Sequence, residues 1–202
     1  MMVVLAALSA SAVLQSQAAN QANPPDPKPR PDLVAYSYTK ADVEFMQGMI
    51  PHHAQAVKMC NWAPTRASSR EVKLLCERML ISQRDEIRMM RIWLLDRGQY
   101  VPPPDATHHK MTMGNNMTHD MLMPGMLSDA EMAKLEKARG AEWDRMFLTS
   151  MIRHHEGALK MVEDLLAAPG AAQGDDMYAF ASDIFADQTA EIERMQKLLE
   201  KK

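Results

Sequence analysis

One block of sequence occurs twice in this chain, and the duplication limits the folds open to it. Residues 45–53 read FMQGMIPHH and residues 147–155 read FLTSMIRHH, and each copy continues into Ala-x-Lys-Met. A second block, Gln-x-x-Glu-Ile-x-x-Met, stands at 83–90 and again at 188–195. The offset is 102 residues for the first block and 105 for the second, so the copies differ in length in one connecting loop. The chain therefore consists of two related halves.

Each half carries two segments with the apolar spacing of a helix. In the first segment, apolar or motif residues recur at 42, 45, 49, 52, 53, 56 and 59, which is the spacing of one helical face. No alternating strand pattern competes with it after residue 38. Two related helical hairpins predict an all-α fold, a four-helix bundle without a sheet, and such folds build metal sites in their interior.

Caps and breakers place the helix ends. We expect helices over about 40–62, 70–97, 143–167 and 176–199, and a short helix after the capping box at Ser128. Pro51 predicts a kink in the first helix, and the Ala63-Pro64-Thr65 segment predicts its end.

The first residues indicate export. Residues 1–14 are almost wholly apolar, and Ser16-Gln17-Ala18 has the small-x-small pattern of a cleavage site, so residues 1–18 are interpreted as a signal peptide. That run is too short for a transmembrane span. Five prolines between 23 and 31 predict that 19–37 is an extended linker, leaving a bundle domain at 38–200. The protein is expected to be periplasmic or secreted, without a membrane attachment after cleavage.

Both copies of the first block place methionine before a His-His pair. On a helix, Met49 shares a face with His52 or His53, three and four residues later. Adjacent histidines point about 100° apart, so one of each pair is expected to bind metal while its neighbour supports it. Thioether and imidazole are ligands that favour Cu(I), although buried Met usually fills a core. The candidate ligands are Met46, Met49, His52, His53, Met151, His154 and His155.

The second block supplies polar residues on core-facing stripes. Gln83 and Glu86, with their copies Gln188 and Glu191, are interpreted as partners that fix the imidazole tautomers. The alternative is that they pair with neighbouring arginines such as Arg84 or Arg194. Asp42 and its copy Asp144 are better explained as helix-start charges than as outer metal ligands.

The segment 105–127 has no periodicity and is rich in metal-binding residue types. Its Gly, Asn and Thr content predicts a loop that does not fold on its own, and His-rich tracts commonly bind metals; a biased spacer is the alternative. Its candidate ligands are His108, His109, Met111, Met113, Met117, His119, Met121 and Met123, with Met126 close behind.

Two cysteines, Cys60 and Cys76, face an oxidising compartment if the chain is exported. A helical hairpin brings them to nearby levels, which suits a disulfide. Two free buried thiols and a thiolate metal ligand at Cys60 are the alternatives, because spacing alone does not show the distance that a disulfide needs.

The doubled blocks, D-x-x-F…M-I-x-H-H-x-x-A-x-K-M followed by Q-x-x-E-I-x-x-M, resemble the domain-of-unknown-function 305 family of exported bacterial proteins. The resemblance covers about residues 38–200. It implies a ferritin-like four-helix bundle, and a characterised relative is a periplasmic copper-binding protein involved in copper resistance. By this resemblance the motif positions are Met49, His52, His53, Met151, His154 and His155. The cysteines and the long Met/His loop are not part of the shared motif.

Together these patterns predict an exported binding protein for Cu(I), and also Ag(I), that acts as a buffer or carrier in copper tolerance and not as an enzyme. A copper-accepting periplasmic protein is an expected partner. Nucleic acid is not, because a formal net charge of −3 provides no electrostatic attraction. A ferritin-like di-metal oxidase is the first alternative, but such sites use Glu-x-x-His pairs and the chain contains none. A metal-free structural or partner-binding bundle is the second.

Overall fold

The computed structural model describes residues 26–33, 37–112 and 118–201, with the backbone alone for residues 33, 110–112, 118 and 119. The proposed signal peptide, 1–18, lies outside the described residues, as does linker 19–37 apart from 26–33 and 37. Within that linker, a short 3-10 turn runs from Pro31 to Leu33. The Arg30 amide donates to Asp96 Oδ1 over 2.7 Å, so this part of the linker lies along the bundle.

Four long helices and one short helix form the described domain. They are α1 (Lys40–Arg66), α2 (Arg70–Asp96), α3 (Asp129–Lys137), α4 (Gly140–Ala167) and α5 (Asp175–Glu200). Helix α1 packs on α2, α4 packs on α5, and the two hairpins meet mainly through α1 and α4. The predicted all-α bundle of two helical hairpins is confirmed. No helix among the described residues is long and apolar enough to cross a membrane.

Helix α1 extends four residues beyond its predicted end, so the break expected at residues 63–65 is wrong. Pro64 lies inside the helix, which costs the hydrogen bond that its missing N–H would make. The amide of Ala67 still closes the last turn on the Ala63 carbonyl over 3.0 Å. The hydroxyl of Thr65 also donates to the Trp62 carbonyl over 3.3 Å. These contacts satisfy the carbonyls of the final turn, and the helix continues to Arg66.

The segment between the hairpins contains a small sheet that the sequence analysis did not predict. Strands β1 (His109–Thr112) and β2 (Thr118–Met121) pair antiparallel, with His109 opposite Met121 and Lys110 opposite Asp120. The expectation of no sheet is therefore wrong at this point. Strands of four residues are too short for the alternation by which a longer strand is recognised.

A buried polar layer divides the interior into two apolar clusters. The first cluster contains residues from the start of α1, the end of α2, the end of α4 and the start of α5. The second takes the opposite ends of the same helices together with α3, as expected for two halves related by a repeat. The polar residues buried between them are His52, His53, Gln55, Gln83, Glu86, His154, His155 and Gln188.

The two repeated aspartates join one hairpin to the other. Asp42 accepts from Thr39 in a capping box, and its second oxygen accepts from the Ala172 amide over 2.8 Å in the turn before α5. Its copy Asp144 accepts from the amides of Ser68 and Ser69 at the start of α2. Each aspartate thus reaches the turn of the other half. Buried carboxylates held by backbone amides in this way stabilise the bundle, which agrees with a structural role near helix starts.

Candidate metal centre

The repeated His-His pairs form the middle of the bundle. His52 and His53 on α1, and His154 and His155 on α4, are all 0% exposed. The inward orientation expected for His53 and His155 is therefore confirmed. Burial of a neutral imidazole without partners is costly, so the contacts of each ring nitrogen determine what these residues can do.

One histidine of each pair is held by a carboxylate from the neighbouring helix. His53 Nε2 lies 2.6 Å from Glu86 Oε2, and His155 Nε2 lies 2.6 Å from Glu191 Oε2. A carboxylate accepts, so each Nε2 carries the proton and the lone pair is on Nδ1. The prediction that these glutamates orient the imidazoles is confirmed, and pairing with nearby arginines is not needed. A carboxylate on the far nitrogen is the usual support of a metal-binding histidine.

The other two histidines meet at the interface of the hairpins. The ring centroids of His52 and His154 are 3.8 Å apart, whereas each ring is more than 6 Å from its sequence neighbour. His52 Nε2 lies 3.0 Å from the Pro124 carbonyl oxygen and donates to it. The lone pair of His52 is therefore on Nδ1, which faces the buried layer.

Several ring nitrogens in this layer have no hydrogen-bond partner. They are Nδ1 of His52, His53 and His155, and both nitrogens of His154. Burial lowers the pKa of His52 to about 3, with His53 adding to the effect, and burial also lowers the pKa of His154 well below its ordinary value. The rings of His52 and His154 are therefore neutral at physiological pH, which is the form that binds a metal.

The end of the Met/His loop covers this layer. The side-chain nitrogen of Gln55 donates to the Leu127 carbonyl oxygen over 2.9 Å, and the side-chain oxygen of Gln55 accepts from the Leu127 amide over 2.7 Å. On α4, a Cβ added at Gly157 would lie 1.9 Å from the Pro124 carbonyl oxygen, so only glycine permits this approach. Gln55 and Gly157 are equivalent positions of the repeat. The two halves thus differ at a position where both contact the loop. This difference is the signal in the sequence that could have indicated where the loop binds.

The repeated methionines lie on either side of the polar layer. Met46 and Met49 belong to the first apolar cluster and Met151 belongs to the second, and all are buried. The three methionines therefore do not belong to one cluster. Met49 and Met151, each three residues before a histidine pair, are the thioethers nearest in sequence to the unpartnered nitrogens.

The loop ligands are only partly brought to the bundle. His108 and His109 line a cavity of about 330 Å³ that also includes Pro51, the residue before His52. His109 contacts the backbone of Gln47. The Gln47 carbonyl lacks its usual helical donor, because Pro51, four residues later, has no N–H. Met123 is half-buried, with its methyl group against Gly48, while Met121 is exposed. Met113 and Met117, and the side chains of Met111 and His119, lie outside the described residues.

The donors present fit a soft or borderline ion better than a hard one. Within the described ranges, no three His, Cys, Asp or Glu side chains converge as a metal site. The glutamates of the layer are occupied by histidine, which leaves neutral imidazoles and thioethers. Hard cations require oxygen clusters, whereas Cu(I) takes few nitrogen or sulfur ligands. The two glutamine oxygens of the layer, Gln83 Oε1 and Gln188 Oε1, also lack partners.

Among curated proteins, an uncharacterised protein of Acanthamoeba polyphaga mimivirus is 38% identical over 56 residues. That match spans 28% of this chain and 37% of the viral protein, so it informs on only part of either molecule.

Solved structures match over most of the bundle. A DUF305 fragment from Deinococcus radiodurans is 30% identical with a TM-score of 0.67, covering 83% of this chain and 100% of its own. A DUF305 protein from Streptomyces coelicolor, assigned as secreted, is 29% identical with a TM-score of 0.66, covering 80% and 93%. CopM in its Cu(I)-bound form is 26% identical with a TM-score of 0.61, covering 82% and 98%, and it is also known in Cu(II)-bound and Ag-bound forms.

The family model for the domain of unknown function DUF305 matches residues 42–199, which include both copies of each repeated block. This chain is a member of the DUF305 family.

Proposed function

We propose that this protein binds Cu(I), and Ag(I), as a buffer or carrier in copper tolerance. The observation that carries the proposal is the buried histidine layer, in which ring nitrogens lack partners and carboxylates hold two of the rings. A purely structural layer would satisfy these nitrogens, because unpaired buried polar atoms are costly. The similarity to CopM, which is known in Cu(I)-bound and Ag-bound forms, supports the choice of metal.

In this proposal the interface of the two hairpins supplies the first ligands. Nδ1 of His52 and a ring nitrogen of His154 come from different halves, so one ion between them joins α1 to α4. Met49 and Met151 lie one helical turn before these histidines and add thioether ligands after small rotamer changes. Glu86 and Glu191 hold the neighbouring rings and provide negative charge close to the cation.

The loop is proposed as the route by which copper enters. His108 and His109 line the cavity beside Pro51, and the exposed Met121 adds a weaker ligand at the surface. Export is proposed from the apolar leader and from the secreted assignment of the Streptomyces relative. A periplasmic protein that accepts the copper is the proposed partner. No redox step is assigned to this site.

Replacement of His154 by Phe tests the proposal. Neither nitrogen of His154 has a partner, so His154→Phe leaves no group unpaired and keeps an aromatic ring against His52. We expect Cu(I) affinity, measured by competition with a chromophoric chelator, to fall more than about 100-fold at one site. The free energy of unfolding should stay the same or rise by about 1 kcal/mol.

Met90→Leu is the matched control, because Met90 is fully buried in the first apolar cluster and is not a proposed ligand. It should bind copper like the wild type. If His154→Phe also binds copper like the wild type while folded, the layer is structural and the proposal fails.

A further inference from the structure

The two cysteines and one methionine lie together in the second apolar cluster, within one or two helical turns of the histidine layer. Cys60 and Cys76 are 1% exposed and Met79 is 0% exposed. Cys76 and Met79 are three residues apart on α2, so their side chains share a face. Cys60 comes from α1, two turns beyond His53. The disulfide considered from the sequence is not formed, since both cysteines are free thiols.

The sulfur atoms are close enough to share one ion. Cys60 Sγ lies 3.8 Å from Met79 Sδ. Three sulfurs around one metal, each bonded at about 2.3 Å as in zinc thiolates, are separated from one another by about 4 Å in a trigonal plane. The Cys60–Met79 distance therefore already matches that spacing. Cys76 is also a neighbour of Cys60. Burial raises the pKa of the Cys60 thiol, and a hydrogen bond with Cys76 raises it further.

We propose that Cys60, Cys76 and Met79 form a second soft-metal site, between α1 and α2, that binds one Cu(I) or Ag(I) ion through three sulfurs. Thiolate and thioether ligands select Cu(I) over hard cations. This site uses none of the ligands proposed for the histidine layer and shares with the proposed function the class of metal, although Glu191, which holds His155, is close enough to act on Cys60. As ordinary core residues, the same three side chains would simply fill space.

Binding exchanges a proton for the metal. The thiolate is the ligand, so the incoming ion displaces a thiol proton, which leaves to the solvent. One thiolate with one Cu(I) gives an uncharged complex, with the second thiol and the thioether completing the ligand set. A neutral complex suits a site this deeply buried, since an unpaired charge there is costly.

Titration of the reduced full-length chain with Cu(I) under anaerobic conditions tests this site. Copper bound to thiolate absorbs in the near ultraviolet, whereas copper bound to imidazole and thioether lacks that thiolate band. We expect the band in the wild type and its loss in Cys60→Ala and Cys76→Ala, with one fewer ion bound. Met79→Leu should weaken the site about tenfold or more, while Met90→Leu should have no effect.

The His154→Phe variant separates this inference from the proposed function. It should keep the thiolate band, whether or not the histidine layer binds copper. Absence of the band in the copper-saturated wild type overturns the inference, and so does an unchanged ion count in a folded Cys60→Ala variant. The wild-type spectrum decides the matter even if the alanine variants do not fold.

Discussion

The imidazole rings of His52 and His154 lie against each other across the hairpin interface, with centroids 3.8 Å apart and ring planes inclined by 39°. Two protonated rings would repel each other at this distance, and burial already disfavours the charge. Both residues therefore stay neutral and keep lone pairs in a buried space. The duplicated block places one such histidine on each half, so the interface of the repeats is also the candidate site.

The glutamates should control how tightly the layer binds copper. Glu86→Gln keeps a hydrogen-bond acceptor for His53 but removes the negative charge, so we expect Cu(I) affinity to fall about 10- to 100-fold with the helices intact. Chelator competition measures the affinity. Glu77→Gln on the exposed side of α2 is the matched control. Equal affinities for the two variants would show that the carboxylate at 86 serves folding alone.

Two glycine substitutions test the loop that covers the layer. In Gly157→Ala the new Cβ meets backbone atoms of Pro124 and Gly125, which cannot rotate away. We expect a loss of about 1–3 kcal/mol in the free energy of unfolding and faster amide exchange at Leu127. In Gly48→Ala the nearest atom is the flexible methyl group of Met123, at 2.7 Å, so the loss should be smaller. An equal effect of both variants on unfolding and exchange would contradict the close packing at Gly157.

The metal-free protein should lose stability as the pH falls from about 6.5. Its unfolded state binds a proton at His52 below the ordinary value of 6.5, whereas the folded state binds it only near 3. Stability due to neutral His52 is thus present above 6.5 and falls by up to about 1.4 kcal/mol per pH unit below it. His154 acts in the same direction.

Urea unfolding between pH 7 and pH 5 measures this slope, and His154→Phe should have a smaller one. Copper affinity should change little over that range while the protein stays folded. Imidazoles of ordinary pKa would instead lose copper through about 6.5. A slope in His154→Phe equal to that of the wild type would show that the buried pair does not determine the pH dependence.

The tip of the Met/His segment should add copper ions without supporting the bundle. Removal of all of 105–127 is not a clean test, because Met126 and Leu127 are buried in the domain. Replacing residues 111–119 by Asn-Gly instead joins the paired residues Lys110 and Asp120 through a two-residue turn. We expect an unchanged thermal midpoint and fewer Cu(I) ions bound per chain. An unchanged copper count would identify the tip as a spacer.

Much of the bundle was predictable because its information is local. Ser128 begins α3 with the expected capping box, and Ser69 caps α2 from the residue just before it. The duplicated blocks made the pairing of two hairpins the simplest fold. The end of α1 was not predictable, since it depends on Thr65 and Ala67 satisfying the carbonyls of Trp62 and Ala63, just before Pro64. Those contacts exist only once the turn is formed.

The candidate site was likewise predictable only in its local part. The spacing of Met49, His52 and His53 shows which residue types share a face, but it does not show that His52 meets His154 while His53 meets Glu86. Those partners lie on other helices and depend on the tertiary packing. The contact of Pro124 with His52 is likewise set by Gln55 and Gly157, which occupy a variable position of the motif.

Nuclear magnetic resonance of the ring nitrogens in ¹⁵N-labelled protein, with and without Ag(I) in excess over all proposed sites, tests metal binding by the histidine layer most directly. We expect His53 and His155 to carry the proton on Nε2 in both states. The Nδ1 signal of His52 and one nitrogen signal of His154 should shift when silver binds, with direct coupling to the metal. Silver bound with all histidine nitrogen signals of the layer unchanged would contradict metal binding by this layer.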